Sequence, residues 1–375
     1  MKTVCNKNMC TGCMACLDVC PKKAITVKDG ISSYNAIIDE KLCVDCNACH
    51  DRCQVNNTVK KSKPQIWYQG WADDKDLRLR SSSGGFATEI VNTFLKSNGI
   101  VFCCIFEQGK FIYKKFCPGD DVSDISGSKY VKSNPQGVYK KVKEVLKLDK
   151  KVLFIGLPCH VAALKCYLGD VCKKNLYTID LICHGTPSPK MLNLFLEQYC
   201  TQLNSVKQIR FRKKDHFQVA INVIADEFRF VATKGILDSY MIGFLDGLFY
   251  TDNCYECKYA SIDRVSDLTL GDSWGSLLPL EERRKGISLA LCQNEKGEEL
   301  LIKSHLHLEA VDLEVAKNNN KQLCAPSTIP IGRDKFFEGI KSGHSFNSMV
   351  WRVYPAKKVK QIIKKILITL HLFEG

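Results

Sequence analysis

Eight cysteines near the amino terminus share one spacing, and that spacing suits iron–sulfur chemistry. The motif C-x2-C-x2-C-x3-C occurs twice in this part of the chain. Three thiolates in such a tight loop can each bind one iron of a four-iron cube, and the fourth iron then needs a ligand from another segment. The sequence therefore predicts two 4Fe–4S clusters. The two motifs are Cys10, Cys13, Cys16, Cys20 and Cys43, Cys46, Cys49, Cys53.

The motifs also predict which cysteines share a cluster. In bacterial two-cluster ferredoxins the fourth cysteine of each motif binds the other cluster. We therefore expect Cys20 to bind the cluster of the second motif and Cys53 to bind that of the first. Between the motifs, the dipeptide Asp29-Gly30 is typical of a hairpin turn and is flanked by short apolar runs. Residues 1–60 are accordingly predicted to form a small ferredoxin domain. The expected ligand sets are Cys10, Cys13, Cys16, Cys53 and Cys20, Cys43, Cys46, Cys49.

One residue departs from the ferredoxin pattern, and zinc is an alternative to the iron–sulfur clusters. Pro21 follows the first motif, whereas Gln54 follows the second. The alternative is a pair of four-cysteine zinc sites. Zinc needs only two close pairs of cysteines, so three cysteines at x2 spacing favour iron–sulfur clusters.

Four later cysteines are also placed where a metal centre could form. Cys159 and Cys183 each follow a short apolar run and precede a predicted helix, and Cys254 and Cys257 form a C-x2-C pair. Loops at the carboxyl ends of parallel strands converge, and helix N-termini there favour anionic ligands. We therefore predict a third 4Fe–4S cluster on these four thiols. The alternative is that Cys159 and Cys183 are reduced core thiols and that the pair binds zinc with other partners.

The remaining sequence predicts an α/β fold, α+β when the chain is taken as a whole. Two strand–loop–helix units follow residue 151 and favour a parallel sheet, whereas residues 208–232 alternate as antiparallel strands do. A charged connector precedes residue 66. We expect a mixed α/β flavin and iron–sulfur domain after the ferredoxin domain, in two parts, 66–150 and 151–330.

The composition narrows the class of protein. With 45% hydrophobic and 25% charged residues the 375-residue chain is globular. No apolar run suits a signal peptide or a membrane span, so the 21 cysteines are expected in a reducing cytoplasm. The net charge of +14 offsets anionic clusters in part, and the remainder could steer an acidic redox partner. Nucleic acid would also attract a basic chain, but no recognition motif supports it.

Five segments, in order along the chain, resemble the beta subunit of coenzyme F-420 hydrogenases and dehydrogenases, a family that includes 7-hydroxymethyl chlorophyll a reductase. This resemblance implies FAD, an iron–sulfur centre beside it and hydride exchange with a small organic substrate. Leu157 and His160 stand where the family usually has threonine and glutamine, which changes the polar contacts of that loop. The segments are 81–86 (SSSGGF), 156–160 (GLPCH), 180–189 (DLICHGTPSP), 254–258 (CYECK) and 266–275 (SDLTLGDSWG).

The resemblance also directs attention to residues that could bind the flavin. Small residues before a helix allow the backbone to approach a phosphate or a flavin edge closely, although serine and glycine runs are commonly plain loops. His160 and His184 are weak catalytic candidates, as proton donors beside a reduced flavin. A thiol hydrolase built on Cys159-His160 is disfavoured because adjacent residues do not face each other. The predicted cofactor-binding residues are Ser82, Ser83, Gly84, Gly85, Gly156, Pro158 and Asp272.

These features predict an oxidoreductase that passes electrons from a ferredoxin- or flavodoxin-type protein through the clusters to FAD and an organic substrate. One alternative is a reductase that does not use the deazaflavin, and another is a non-catalytic electron-transfer subunit of a larger complex. A zinc-bearing nucleic-acid binder is a third alternative. The sequence has no G-x-G-x-x-G motif after a strand, so a nicotinamide-binding site is not indicated.

The last segment, 350–375, is predicted to form a basic amphipathic helix. Apolar residues recur every three or four positions, with lysines on the opposite face. Such a helix can lie on a membrane surface or dock on a partner, and it can equally pack on its own domain. The apolar residues are Val359, Ile362, Ile363, Ile366, Leu367, Leu370 and Phe373, and the lysines are Lys357, Lys358, Lys360, Lys364 and Lys365.

Overall fold

A computed structural model describes residues 2–169, 174–223 and 228–372. Phe373, at the end of the predicted amphipathic helix, lies outside the described residues. The strands are β1 Ile25–Asp29, β2 Tyr34–Ile38, β3 Ile66–Ala72, β4 Ile100–Glu107, β5 Lys110–Phe116, β6 Val152–Gly156, β7 Leu176–Leu181, β8 Gln208–Lys213, β9 His216–Asn222, β10 Arg229–Phe230, β11 Leu268–Asp272, β12 Ser288–Cys292 and β13 Leu306–Glu309.

Strands and helices alternate from β5 to α7, as in an α/β fold, whereas four helices, α11 to α14, follow the last strand. Within the described ranges no helix is both long enough and apolar enough to cross a bilayer. The helices are α1 Ala15–Val19, α2 Ala48–Asp51, α3 Lys75–Arg80, α4 Phe86–Lys96, α5 Val138–Lys147, α6 Pro158–Leu168, α7 Pro189–Glu197, α8 Ser239–Leu245, α9 Leu280–Arg284, α10 Glu295–Ile302, α11 Leu313–Asn319, α12 Arg333–Lys341, α13 Phe346–Val353 and α14 Pro355–Thr369.

The amino-terminal region is built on the predicted hairpin. Strands β1 and β2 pair antiparallel, with Asp29 opposite Tyr34. The connection is four residues long, longer than the two-residue turn that the dipeptide favours. Asp29 stabilises it by accepting hydrogen bonds from the Ile31 N–H at 2.8 Å and the Tyr34 hydroxyl at 2.9 Å. The fold class predicted for this region is confirmed.

One mixed sheet of eight strands organises the rest of the chain. Its order is β13-β3-β12-β11-β7-β6-β4-β5. Strands β4, β6, β7 and β11 are parallel, and β12 runs antiparallel to β11. The predicted parallel pairing of β6 with β7 is therefore confirmed. As a result, the loops after β6, β7 and β11 leave the sheet at the same edge.

The sheet is covered on both faces, which explains its continuous apolar strands. All five residues of β6 and of β12 are buried. Helices α4 and α10 share one core with the sheet, and α5 and α6 share another. Ala15 of the ferredoxin region is completely buried in the second core. The ferredoxin region is thus packed against the helices that cover the sheet.

A smaller sheet and a helical core complete the chain. Strands β8, β9 and β10 pair antiparallel, as the alternation predicts. Helix α8 begins at Ser239, because Asp238 caps it by accepting the Met241 N–H at 2.8 Å. Ser188 caps α7 by accepting the Lys190 N–H at 3.0 Å, and Pro189 follows at the first helical position.

Candidate metal centres

The second predicted ferredoxin set lies at the surface. Its four thiols line one small cavity of about 90 Å³. Cys46 is exposed and the other three are half-buried. The fourth cysteine of the first motif therefore joins the three of the second motif, as expected from the ferredoxin pattern. The cysteines of this surface set are Cys20, Cys43, Cys46 and Cys49.

The other predicted set lies in the interior. Cys10, Cys13, Cys16 and Cys53 are all buried. Burial, together with the charges of Cys10 and Cys53, raises the pKa of Cys13 to about 12. Thiolates crowded in this way repel one another, so this interior set needs compensating cations, and the irons of a cluster supply them.

A fifth thiol beside the interior set was not predicted. The Cys5 thiol hydrogen-bonds to Cys10 and to Cys53, and these bonds lower the pKa of both. Cys5 itself is buried, and its own pKa is raised. No sequence signal marks this residue, because Cys5 stands outside both motifs.

Zinc and a four-iron cluster make different demands on cysteine ligands. Zinc requires its donors about 2.0–2.3 Å from one ion, whereas a four-iron cube gives each thiolate its own iron. In residues 2–169, 174–223 and 228–372, no three His, Cys, Asp or Glu side chains converge as ligands of one metal ion do.

The four later cysteines come together at the carboxyl edge of the large sheet. Cys159 is the second residue of α6, Cys183 follows β7, and Cys254 and Cys257 lie in the loop after α8. Together they line a cavity of about 160 Å³, the cysteine cavity. Burial raises the pKa of Cys183 to about 12, with Cys254 and Cys257 adding to the increase. Four soft donors around one space fit a third cluster.

Two buried cations border the cysteine cavity. Lys132 is 3% exposed and donates from Nζ to the Thr11 carbonyl at 3.0 Å. Arg264 pairs with Asp180 at 2.9 Å, and both side chains are buried. Burial raises the pKa of Cys159 and of Cys183, and Lys132 opposes this increase. Lys132 can therefore offset the negative charge of a thiolate-bound cluster, whereas the charge of Arg264 is balanced by Asp180.

Gln54 joins the ferredoxin region to the cysteine cavity. This side chain is completely buried. Its Nε2 donates to the Thr11 hydroxyl at 2.9 Å, and its Oε1 accepts from the Tyr259 hydroxyl. Lys258, next to the cavity residue Cys257, donates to the carbonyl of Gln54. The departure from the Cys-Pro pattern thus has a physical reason, because a proline side chain could form neither of the two side-chain bonds.

The predicted flavin loop, residues 82–85, is bonded to its own surroundings. We call it the serine–glycine loop. The Ser82 hydroxyl accepts the Ser128 N–H at 2.9 Å, and the Ser83 hydroxyl donates to the Ile287 carbonyl at 2.8 Å. Both serine side chains are therefore engaged within the protein.

Its glycines also have a reason within the fold. A Cβ on Gly84 would lie 2.3 Å from the Gly70 carbonyl oxygen and 2.7 Å from the Ser288 nitrogen. Gly85 precedes α4 with a φ of 94°, a conformation that favours glycine. The close approach of the loop to β3 and β12 accounts for Gly84 without a ligand.

Asp272 meets the serine–glycine loop at Arg212. The Arg212 guanidinium holds Asp272 in a two-point ion pair at 2.7 and 2.9 Å and donates to the Ser82 carbonyl at 3.0 Å. The side chain of His184 is exposed, and partial desolvation lowers its pKa while the charge of Asp272 opposes that shift. Two predicted residues, Ser82 and Asp272, are thus brought together by an arginine that the sequence did not single out.

The remaining predicted residues lie at the end of β6. Pro158 and His184 line the cysteine cavity. A Cβ on Gly156 would lie 2.6 Å from the Tyr113 hydroxyl, which also contacts Nδ1 of His160 at 2.9 Å. His160 is completely buried and burial lowers its pKa to about 3, so it is neutral. Of the two histidines, His184 is the one that faces the cavity.

The size of the cysteine cavity limits what it can hold. Sites for drug-sized ligands occupy roughly 300–1,000 Å³, well above the roughly 160 Å³ of this cavity. A dinucleotide cannot lie within it, and the serine side chains of the predicted flavin loop are already bonded. The residues therefore fit three clusters, and they do not present a ready FAD site.

Comparisons with known proteins agree with this division of the chain. Residues 9–57 match the 4Fe-4S dicluster domain. Residues 149–316 match the family described as the C-terminal part of the coenzyme F420 hydrogenase/dehydrogenase beta subunit. No curated protein matches the chain.

Among solved structures, thirteen chains match. One is a xenon-derivatised F420-reducing [NiFe] hydrogenase complex from Methanosarcina barkeri, with 17% identity and a TM-score of 0.49 over 76% of this chain and 96% of that one. The chain therefore carries an amino-terminal 4Fe-4S dicluster domain, followed by a region similar to the C-terminal part of the coenzyme F420 hydrogenase/dehydrogenase beta subunit.

Proposed function

We propose that this protein is a cytoplasmic iron–sulfur flavoprotein oxidoreductase. In this proposal a ferredoxin- or flavodoxin-type protein exchanges single electrons with the two amino-terminal clusters. A third cluster would connect them to FAD, which, when bound, would supply hydride exchange with a small organic substrate such as a deazaflavin of the F-420 type.

One observation carries the proposal. Four thiols from three separate segments line one cavity, and that cavity also borders Thr11 and Gln54 of the dicluster domain. Thr11 follows the interior ligand candidate Cys10, and Gln54 follows Cys53. A third cluster here would lie next to the interior cluster, which is the arrangement an electron relay needs.

The exposure of the cysteines supports an order in which electrons would pass the three sites. Cys46 of the surface set is exposed, whereas the interior set is buried and its chain neighbours Thr11 and Gln54 border the cysteine cavity. A partner protein can therefore approach the surface set most closely. The expected order is surface set, interior set and cysteine cavity, in either direction of electron flow.

The side chains of this protein supply the environment for the relay. When bound, a 4Fe–4S cluster takes up and releases one electron at a time. Lys132 places positive charge beside the cavity, which stabilises added negative charge. Tyr139 is completely buried in the core to which Cys13 and Cys159 also belong.

The resemblance to the family is what supports FAD in this proposal. No free binding loop among the described residues supports it. The predicted edge brings Ser82 and Asp272 to Arg212, but the bonds within this group leave no ready cradle for a dinucleotide. We derive no step through the flavin. Its presence is a matter for direct measurement.

The bonded serine–glycine loop favours a second candidate function. A chain without its own flavin would act as a non-catalytic electron-transfer subunit of a larger redox complex. Such a subunit would transfer electrons only when its partner is present, whereas the enzyme would consume an organic substrate alone.

Anaerobic purification with iron, sulfide and flavin quantitation tests both candidates. Three clusters predict about twelve irons per chain, and two predict about eight. Twelve irons with one FAD supports the enzyme, and twelve irons without flavin supports the subunit. Eight irons would remove the third cluster from the proposal, and a colourless protein without a reduced-state EPR signal would overturn it entirely.

A further inference from the structure

The carboxyl-terminal helix α14 is attached to the protein by its polar side. Lys357 forms an ion pair with Asp246 at 2.5 Å, and Lys358 donates to the Ser239 hydroxyl at 3.0 Å. One turn later, Oε1 of Gln361 accepts the Leu237 N–H at 2.9 Å. The side that contacts the body of the protein is therefore the one rich in lysine and glutamine.

The apolar side of the same helix faces away from the protein. No residue of α14 is buried. Five aliphatic side chains spaced three or four residues apart are 44% to 59% exposed, and Leu372 just beyond them is 70% exposed. An amphipathic helix that merely packed on its own domain would turn this side inward. The five are Val359, Ile362, Ile363, Ile366 and Leu370.

The charge of the helix indicates what covers the apolar side. Pro355–Thr369 contains five lysines and no acidic residue. Lys360 and Lys365 are exposed, and at 100° per residue they border the apolar stripe on opposite sides. Lysines in these positions can extend their ammonium groups to headgroups while the aliphatic side chains enter the acyl boundary.

We propose that α14 binds the surface of an anionic lipid membrane. The arrangement around α14 is the one that such binding requires. The body of the protein lies on the polar side of the helix, lysines lie at both borders of the apolar stripe, and the isoleucines face away from the body. A bilayer presents negative charge to both borders at once, whichever way the helix points. Trp351, in the preceding helix α13 and 39% exposed, adds a side chain of the type found at membrane interfaces.

Vesicle sedimentation of the full-length holoprotein tests this proposal. Vesicles of phosphatidylcholine alone are compared with vesicles that also contain phosphatidylglycerol. We expect the protein to sediment with the anionic vesicles only, and to be released by high salt because screening weakens attraction between exposed charges.

Three variants separate lipid binding from other effects. The double substitution Ile362→Glu with Ile366→Glu should weaken sedimentation by about tenfold or more, and so should Lys360→Glu with Lys365→Glu. The matched control is Ile302→Glu, because Ile302 is 65% exposed on α10, which packs on the large sheet instead. The control should bind as the unchanged protein does, and the iron content of all variants should be equal.

Three results would overturn the proposal. The unchanged protein could remain in the supernatant with anionic vesicles. The isoleucine variant could sediment as well as the unchanged protein. The protein could instead form a dimer in solution that the isoleucine variant alone converts to a monomer, which would make a second copy of this chain the occupant.

Discussion

The cysteine cavity and the serine–glycine loop lie at the same edge of the large sheet. Their side chains differ in whether they face a space or are already hydrogen-bonded. The four cavity thiols face a shared space. The hydroxyls of Ser82 and Ser83 are already bonded within the protein. Small polar residues in a loop are therefore a weaker sign of a ligand than donor groups that converge on a space.

The largest effect that would sharpen this comparison is on iron content. Cys183→Ser should remove about four irons per chain, because a hydroxyl is a poor ligand for a thiolate-bound cluster. The measurement is iron and sulfide per chain after anaerobic purification. Cys103→Ser is the matched control, since Cys103 is also buried but lies on β4 in the core and not at the cavity. Equal iron in the two variants would contradict a third cluster.

The next effect is on reduction potential. Lys132→Met should lower the potential of the clusters beside it by on the order of 50 mV, because reduction adds negative charge that the buried cation stabilises. An EPR-monitored redox titration measures this. Lys141→Met removes an exposed lysine from α5 and should leave the potentials unchanged. A variant with the original potential would show that Lys132 serves packing alone.

A smaller effect concerns the serine–glycine loop. Ser83→Ala should lower the free energy of unfolding by about 1 kcal/mol, because the Ile287 carbonyl loses its hydrogen bond. Bound flavin per chain should stay the same. Chemical denaturation gives the first value and flavin quantitation the second. Loss of flavin with an unchanged free energy of unfolding would contradict a purely structural role for Ser83 and would make this loop a ligand site.

The last effect is a pH dependence under the same loop. Burial, with Arg78 and Arg212 nearby, lowers the pKa of Lys214 to about 8. In the unfolded chain this pKa is about 10.4, so between these values the unfolded state binds more protons. The stability of the protein relative to a Lys214→Met variant should therefore rise as the pH increases from about 8 to about 10. A difference that stays constant over this range would place the lysine in a more solvated environment.

Local patterns allow much of the fold and of the metal centres to be predicted. The ferredoxin motifs encode their chemistry within a few residues, and the parallel strands β6 and β7 bring Cys159 and Cys183 to one edge. The capping residue Ser188 is also identifiable from its neighbours alone.

The residues that sequence reasoning missed have partners far away in the chain. Gln54 bonds to Thr11 across 43 residues, Lys132 to Thr11 across 121, and Arg212 to Asp272 across 60. No local pattern marks such pairs. The amphipathic pattern of α14 is also clear in the sequence, but it cannot tell which side of the helix contacts the protein.

The bonds made by Gln54 fix the position of the dicluster domain relative to the cysteine cavity. Because Thr11, Gln54 and Tyr259 form a continuous hydrogen-bonded bridge, this domain is not a mobile shuttle that must collide with its acceptor. With the proposed third cluster in the cavity, electron transfer across this bridge would be a first-order event, with a rate that does not depend on protein concentration or on encounter frequency.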